Sequence, residues 1–226
     1  MNGPRTGQVI GVNGNMVAVA FSDRVMQNEV AYVMVGEERL KAEVIRVKGK
    51  RADLQVFEDT QDIRIADTVE FTGELLSVAL GPGLLTQVYD GLQNPLPDLA
   101  EQFGFFLKRG AYLSPLDDEQ TWEFTPAVKV GDKVLAGEKL GTVPEKIFQH
   151  WIMVPFNLPG ELEVTEIVGK GVYKMKDTIA RVKDSQGKIY PVTMKQLWPV
   201  KVPIKAYARK IKPTQPLVTQ IRIVDW

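Results

Sequence analysis

The sequence predicts a mainly β protein: a small amino-terminal six-stranded β-barrel, a short helical linker and a second β-rich unit. Three observations carry this. Short runs of β-type residues, punctuated by glycine and charged turns, fill Thr6 to Phe71 and return between Thr121 and Val192. Helical spacing is confined to the stretch between them, and Pro199, Pro203, Pro213 and Pro216 crowd the last part. The expected division is residues 1–72 for the barrel, 73–110 for the linker with short helices, 111–192 for the second unit and 193–226 for an extended return linker.

In the first region, Gln8 to Val12 leads into Asn13-Gly14-Asn15, a strong hairpin signal, and then Met16 to Phe21. Val30 to Val35, Leu40 to Val47 and Arg51 to Phe57 follow, separated by Gly36-Glu37-Glu38-Arg39 and Lys48-Gly49-Lys50. This spacing is that of a small closed barrel of about six strands. A barrel this short buries little surface, so a neighbouring domain or subunit is expected to lean on it. Gly81-Pro82-Gly83 then reads as a turn. Leu84, Leu85, Val88, Tyr89 and Leu92 recur at helical spacing and predict a short packing helix ended by Gly91 and Pro95. A second helix is expected over Pro97 to Gly110, with Leu99, Ala100, Phe103 and Phe106 on one face and Asp98 and Glu101 near its start. Its phenylalanines, Phe103, Phe105 and Phe106, suit either an internal core or a buried contact between domains.

The second β region opens with two short strands around Gly131-Asp132 and Gly137-Glu138, between Val128 and Val143. Pro159-Gly160 leads into Glu161 to Val168, Val172 to Met175 and Thr178 to Val182, whose alternation suits a half-buried pleated surface. From Met194 the prolines predict an extended connection.

Composition excludes several functions. The 226 residues hold 28 Lys plus Arg and 28 Asp plus Glu, so no positive excess exists to neutralise nucleic-acid phosphates. There is no cysteine, which removes disulfides and thiolate chemistry and fits a reducing compartment. No apolar run is long enough to cross a bilayer, and Met1 to Arg5 lacks a signal peptide's apolar stretch, so a cytoplasmic location without direct membrane contact is expected.

Thr72-Gly73-Glu74-Leu75-Leu76-Ser77-Val78-Ala79-Leu80-Gly81-Pro82-Gly83, running on through Asp90-Gly91-Leu92-Gln93-Asn94-Pro95-Leu96, resembles the junction between barrel and nucleotide-binding domain in the catalytic subunit of V-type and A-type rotary ATPases. The V-x-x-GD-x-V-x-x-G-x-x-L rhythm of the second region resembles the barrel-sandwich hybrid of biotinyl and lipoyl carriers. It also resembles that ATPase family's inserted bulge domain, where Trp122 to Pro126, Val128 to Val134, Gly137 to Val143 and Ile152 to Pro155 have counterparts. Trp198 to Pro203 and Pro216 to Asp225 resemble the return into the nucleotide-binding domain, with Gln220 where glycine is usual. Asp62-Ile63, Ile65-Ala66-Asp67 and Ala79 depart from the family pattern and suggest a divergent, bacterial branch.

The chemistry of a site is harder to find. The phosphate-cradling pattern G-x-x-x-x-G-K-[ST] is absent; Gly169-Lys170 and Gly187-Lys188 are followed by Gly171 and Ile189. His150 is the only histidine and is expected as a polar loop or surface residue rather than a metal ligand. Asp117-Asp118-Glu119 reads as a solvated turn, and no G-x-S-x-G elbow occurs. Lys174-Met175-Lys176 evokes the modified lysine of biotin carriers, but that lysine belongs in the hairpin between half-motifs, here Val143 to Ile152, so Lys174 is expected to be an ordinary strand-edge residue. No catalytic, cofactor-binding or metal residue is therefore assigned.

The resemblance implies the front portion of a longer catalytic polypeptide, inactive by itself, with ATP and Mg2+ needed only by the full-length protein and the phosphate loop lying beyond Trp226. It implies B subunits of the same ring and the peripheral stalk as partners, with no nucleic acid. A carrier or adaptor module is the alternative, and an oligonucleotide-binding barrel a third reading, for which Phe21, Tyr32 and Phe57 are the only aromatics of the first region.

Overall fold

The computed structural model describes residues 5–104, 106, 108–207 and 209–224. Met1 to Pro4, Phe105 of the expected aromatic face, and Asp225 and Trp226 lie outside the described residues.

Six antiparallel strands close a barrel: β1 (Arg5–Asn13), β2 (Met16–Phe21), β3 (Glu29–Val35), β4 (Glu38–Lys48), β5 (Arg51–Val56) and β6 (Thr68–Leu75), in the order β1-β2-β5-β4-β3-β6. The expected barrel is therefore present, and its sixth strand runs on to Leu75, beyond Phe71, where the β pattern of the sequence fades. The period-2 alternation decides which side chains fill it: Val9, Val17, Val19, Ala31, Val33, Leu40, Ala42, Val44, Ala52, Leu54, Val56, Val69 and Phe71 form one buried cluster. Asn13 faces Met16 across the turn Gly14-Asn15, with Gly14 at φ +60°, a region glycine enters without a Cβ penalty. One mouth of the barrel is knotted by Glu29, whose buried carboxylate accepts from the Arg5 guanidinium at 2.7 Å, the Gly73 N–H at 2.7 Å and the Met26 N–H at 2.5 Å.

The linker differs from the sequence expectation. Leu84 to Leu92 forms no helix, and Leu85 and Val88 are exposed. Local side chains compete with helical hydrogen bonding for the backbone. The Asp90 carboxylate accepts from the N–H groups of Leu92 (2.9 Å) and Asn94 (2.8 Å), while Thr86 and Gln93 sit at φ +66° and +64°. Pro95 does not end a helix but caps the start of α1 (Leu96–Phe103), which is shorter than the expected Pro97 to Gly110 and stops at Gly104, φ +85°. Of its apolar face only Leu99 is buried; Phe103 is exposed and Phe106 is 91% exposed, so neither belongs to a core of this chain.

The second unit stacks two four-stranded sheets. One, ordered β11-β10-β8-β13, uses β8 (Thr121–Pro126), β10 (Lys139–Glu145), β11 (Phe148–Met153) and β13 (Gly171–Lys174). The other, ordered β15-β14-β12-β9, uses β9 (Lys133–Val134), β12 (Leu162–Ile167), β14 (Ala180–Lys183) and β15 (Ile189–Val192). Gly141 is demanded by packing, because a Cβ there would lie 2.3 Å from the fully buried ring of Phe124. The return segment is not wholly extended: β16 (Gln196–Pro199) pairs antiparallel with β7 (Ser77–Leu80), and regular structure ends beyond it. The ladder satisfies backbone groups on both segments despite the prolines, since Pro199 sits at the end of its strand.

Candidate functional site

The site the fold builds is the elbow where barrel, linker and second unit meet. Its hinge segment, Gly81-Pro82-Gly83, packs so tightly that a Cβ on Gly81 would meet the Met194 carbonyl at 3.0 Å, and Gly83 lies at φ +102°. Ala79 from β7 and Leu116 share a buried cluster with Phe124, Val143, Ile152, Met175, Ile179 and Met194, so the elbow is part of the second unit's core.

Glu145, at the end of β10 and 3% exposed, clamps this loop. Its Oε1 accepts from the N–H groups of Gly83 (2.6 Å) and Leu85 (3.1 Å), and its Oε2 lies 2.7 Å from His150 Nδ1. A glycine-rich loop with converging amides is chemistry suited to an anion. Here those donors are spent on the chain's own carboxylate. Gln93 adds a second clamp, its side-chain amide bonding both the N–H and the carbonyl of Ala79 at 2.8 Å, as a neighbouring strand would. Asn94 extends the clamp by accepting from the Leu113 N–H at 3.0 Å.

The barrel is tied to the same region by three polar clips. Arg109 pairs with Glu38 at 2.5 Å and donates to the Gln61 carbonyl at 2.6 Å. The Tyr112 hydroxyl donates to Glu58 at 3.0 Å and accepts from the Lys41 N–H at 2.6 Å. Burial pushes the Tyr112 hydroxyl far above its ordinary range, so it stays protonated and able to donate. Burial also lowers Lys41, partly offset by the charge of Asp90. On the return side the Lys201 ammonium lies 2.7 Å from the buried carboxylate of Glu43. Each clip spans a long sequence separation and fixes one segment against another.

The residues weighed from sequence are dispersed. His150 lies in strand β11, half-buried against Glu145, and not in a loop. Asp117 accepts from the Glu119 N–H in a turn, Asp118 pairs with Lys195, and Glu119 bridges Lys174 and Lys176. Hydrogen bonds from Lys174 and Lys176 hold the exposed Glu119 carboxyl down at about 2. Lys174 lies on the edge strand β13, and the tip of the β10–β11 hairpin carries Lys146, whose ammonium donates to the Thr86 hydroxyl. Phe21 stacks edgewise on Phe71 and Tyr32 on Tyr112, so these rings are engaged within the fold. Among the described residues no group of three or more His, Cys, Asp or Glu is placed to hold a metal ion, and no helix is long and apolar enough to cross a membrane. With no phosphate-loop pattern in the sequence either, the residues present do not fit ATP and Mg2+.

Sequence reasoning missed Glu145, Glu58, Tyr112 and Lys201. No local pattern marks them, because their partners lie far along the chain and are often backbone amides.

Comparison with known proteins matches the two β units separately. A family profile described as the ATP synthase alpha/beta family, beta-barrel domain, covers residues 9–73, and one described as the ATP synthase alpha/beta subunit barrel-sandwich domain covers residues 113–201. The chain is 55% identical over 219 residues to a V-type ATP synthase alpha chain of Treponema denticola, covering 97% of this chain and 37% of that protein. It is 56% identical to V-type ATP synthase alpha chain 1 of Treponema pallidum and 51% identical to the V-type ATP synthase alpha chain of Borreliella burgdorferi, again over 97% of this chain and 37% and 38% of those proteins. The chain thus spans little more than a third of the length of these relatives.

Proposed function

Because the chain belongs to the ATP synthase alpha/beta family, with both its barrel and its barrel-sandwich domain, we propose that it is the scaffold portion of the catalytic alpha chain of a V-type rotary ATPase. In this reading the barrel meets the barrels of neighbouring B subunits in a ring and the second unit reaches the peripheral stalk. ATP hydrolysis or synthesis, coupled to movement of H+ or Na+, is the work of the whole enzyme, peripheral to the membrane on its cytoplasmic side.

One observation carries the reading: barrel and second unit are joined by an elbow in which backbone amides, glycine packing and long-range ion pairs all resist bending. A part that holds a ring against torque needs such stiffness and needs no ionisable groups converging on a cleft. The chain's residues therefore position and brace; bond-breaking chemistry is not routed through them.

The test is assembly. Sedimentation velocity of the chain mixed with the B subunit of the same ATPase is expected to give a complex heavier than either component. Independent sedimentation of the two at tens of micromolar would contradict the assignment of the barrel to ring contacts.

A further inference from the structure

A small apolar cleft lies beside the elbow, outside the clips that brace it. It has a volume of about 240 Å3 and is walled by Leu84, Ile152, Pro155, Phe156 and Met194, with His150 on its border. A dry apolar cavity of about 150 Å3 is enough to hold benzene, so a substituted benzene fits this one by size.

The polar feature on the border selects among such ligands. Glu145 Oε2 can only accept, so the imidazole directs its Nδ1–H to it at 2.7 Å. That hydrogen bond fixes the tautomer and leaves Nε2, which has no partner among the described residues, as a lone-pair acceptor made more basic by the carboxylate behind it. The other ionisable side chain on the border, Lys195, is already paired with Asp118. A plain hydrocarbon would cover Nε2 and leave it unsatisfied. An anionic ligand would approach a ring already backed by the Glu145 charge. A ligand that is apolar over most of its surface and carries one hydroxyl donor satisfies both constraints.

We propose that this cleft binds a small substituted phenol, its ring among Leu84, Ile152, Phe156 and Met194 and its hydroxyl donating to His150 Nε2. The proposal does not rest on the scaffold reading above: it concerns a cleft and a histidine that the bracing does not require. A ligand seated there would touch the elbow loop, strand β11 and the segment around Met194 at once, and so would stabilise the elbow wherever it bound.

His150 is the only histidine, so its ring protons give one unambiguous pair of NMR signals. The full chain is titrated at pH 7.5 with 4-propylphenol and, separately, with its methyl ether, which keeps the size and loses the donor. The phenol is expected to move the His150 signals saturably and the ether to bind about tenfold more weakly. His150→Phe is expected to bind the two equally. The proposal is overturned if the His150 signals stay fixed up to the solubility limit of the phenol, or if phenol and ether bind wild-type protein with equal affinity. The wild-type comparison stands even where His150→Phe fails to fold.

Discussion

Replacing Glu145 by alanine tests the elbow most sharply. The carboxylate accepts two backbone N–H groups and the imidazole from a site only 3% exposed, so its removal strands three donors at once. A hydrogen bond to a charged group contributes about 1.5–3 kcal/mol, and donors left without a partner add their own desolvation cost unless water reaches them. Allowing for water entering the space of the lost side chain, the expected loss is about 4 kcal/mol. For a chain of this size each kcal/mol lowers the unfolding midpoint by about 2–4 °C, so a fall of about 8–16 °C is expected. Glu145→Gln keeps one oxygen for the two amides and should lose less than half as much. Circular dichroism gives the midpoints, and hydrogen exchange at the Gly83 and Leu85 amides gives the local effect, which should be a loss of protection in the alanine variant. A fall of under about 2 °C, or unchanged protection at those two amides, would refute the clamp.

Other perturbations probe separate parts of the structure. Gly141→Ala places a methyl 2.3 Å from the Phe124 ring and should cost about 2–4 kcal/mol in urea unfolding, with partial recovery when Phe124→Leu is added; an effect below about 1 kcal/mol would show the ring free to yield. Tyr112→Phe removes a donor to Glu58 and an acceptor for the Lys41 N–H, and should lower stability by about 1–2 kcal/mol; no change would mean the hydroxyl clip is dispensable. The Glu119 carboxyl, held down by Lys174 and Lys176, should titrate at about 2 by carbon NMR and move toward 4.5 when both lysines are replaced by alanine. Its folded value is depressed, so its contribution to stability is present above the unfolded value of 4.5 and fades as pH falls toward 2; titration near 4.5 in the unaltered protein would contradict the bridge.

The barrel was legible because each strand repeats with a period of two and one face must be apolar: Val17 and Val19, Ala31 and Val33, and Leu40, Ala42 and Val44 announce it. The second unit was legible for the same reason, together with glycine turns at Gly131 and Gly137, both at positive φ. The helix expected over Leu84 to Leu92 failed because helical spacing of apolar residues is a weak signal against Asp90, Gln93 and Glu145, which offer the backbone other partners. Strand β16 was hidden by its proline-rich setting, and its pairing with β7, far back along the chain, leaves no periodic trace. The site was the least legible part. The Asp90-to-Leu96 motif stood out as a word in the sequence, but its purpose, a side-chain amide gripping the backbone of Ala79, appears only when the two segments are brought together.

If these residues brace and do not handle nucleotide, a thermal unfolding scan with and without 5 mM MgATP (roughly 100-fold above a Kd of about 50 μM) should show it. A nucleotide site of that affinity would add about 2.7 kcal/mol at that excess, which in a chain of this length raises the midpoint by about 5–11 °C. For a bracing scaffold the expected change is within about 1 °C. A rise of several degrees, saturating with nucleotide, would contradict it.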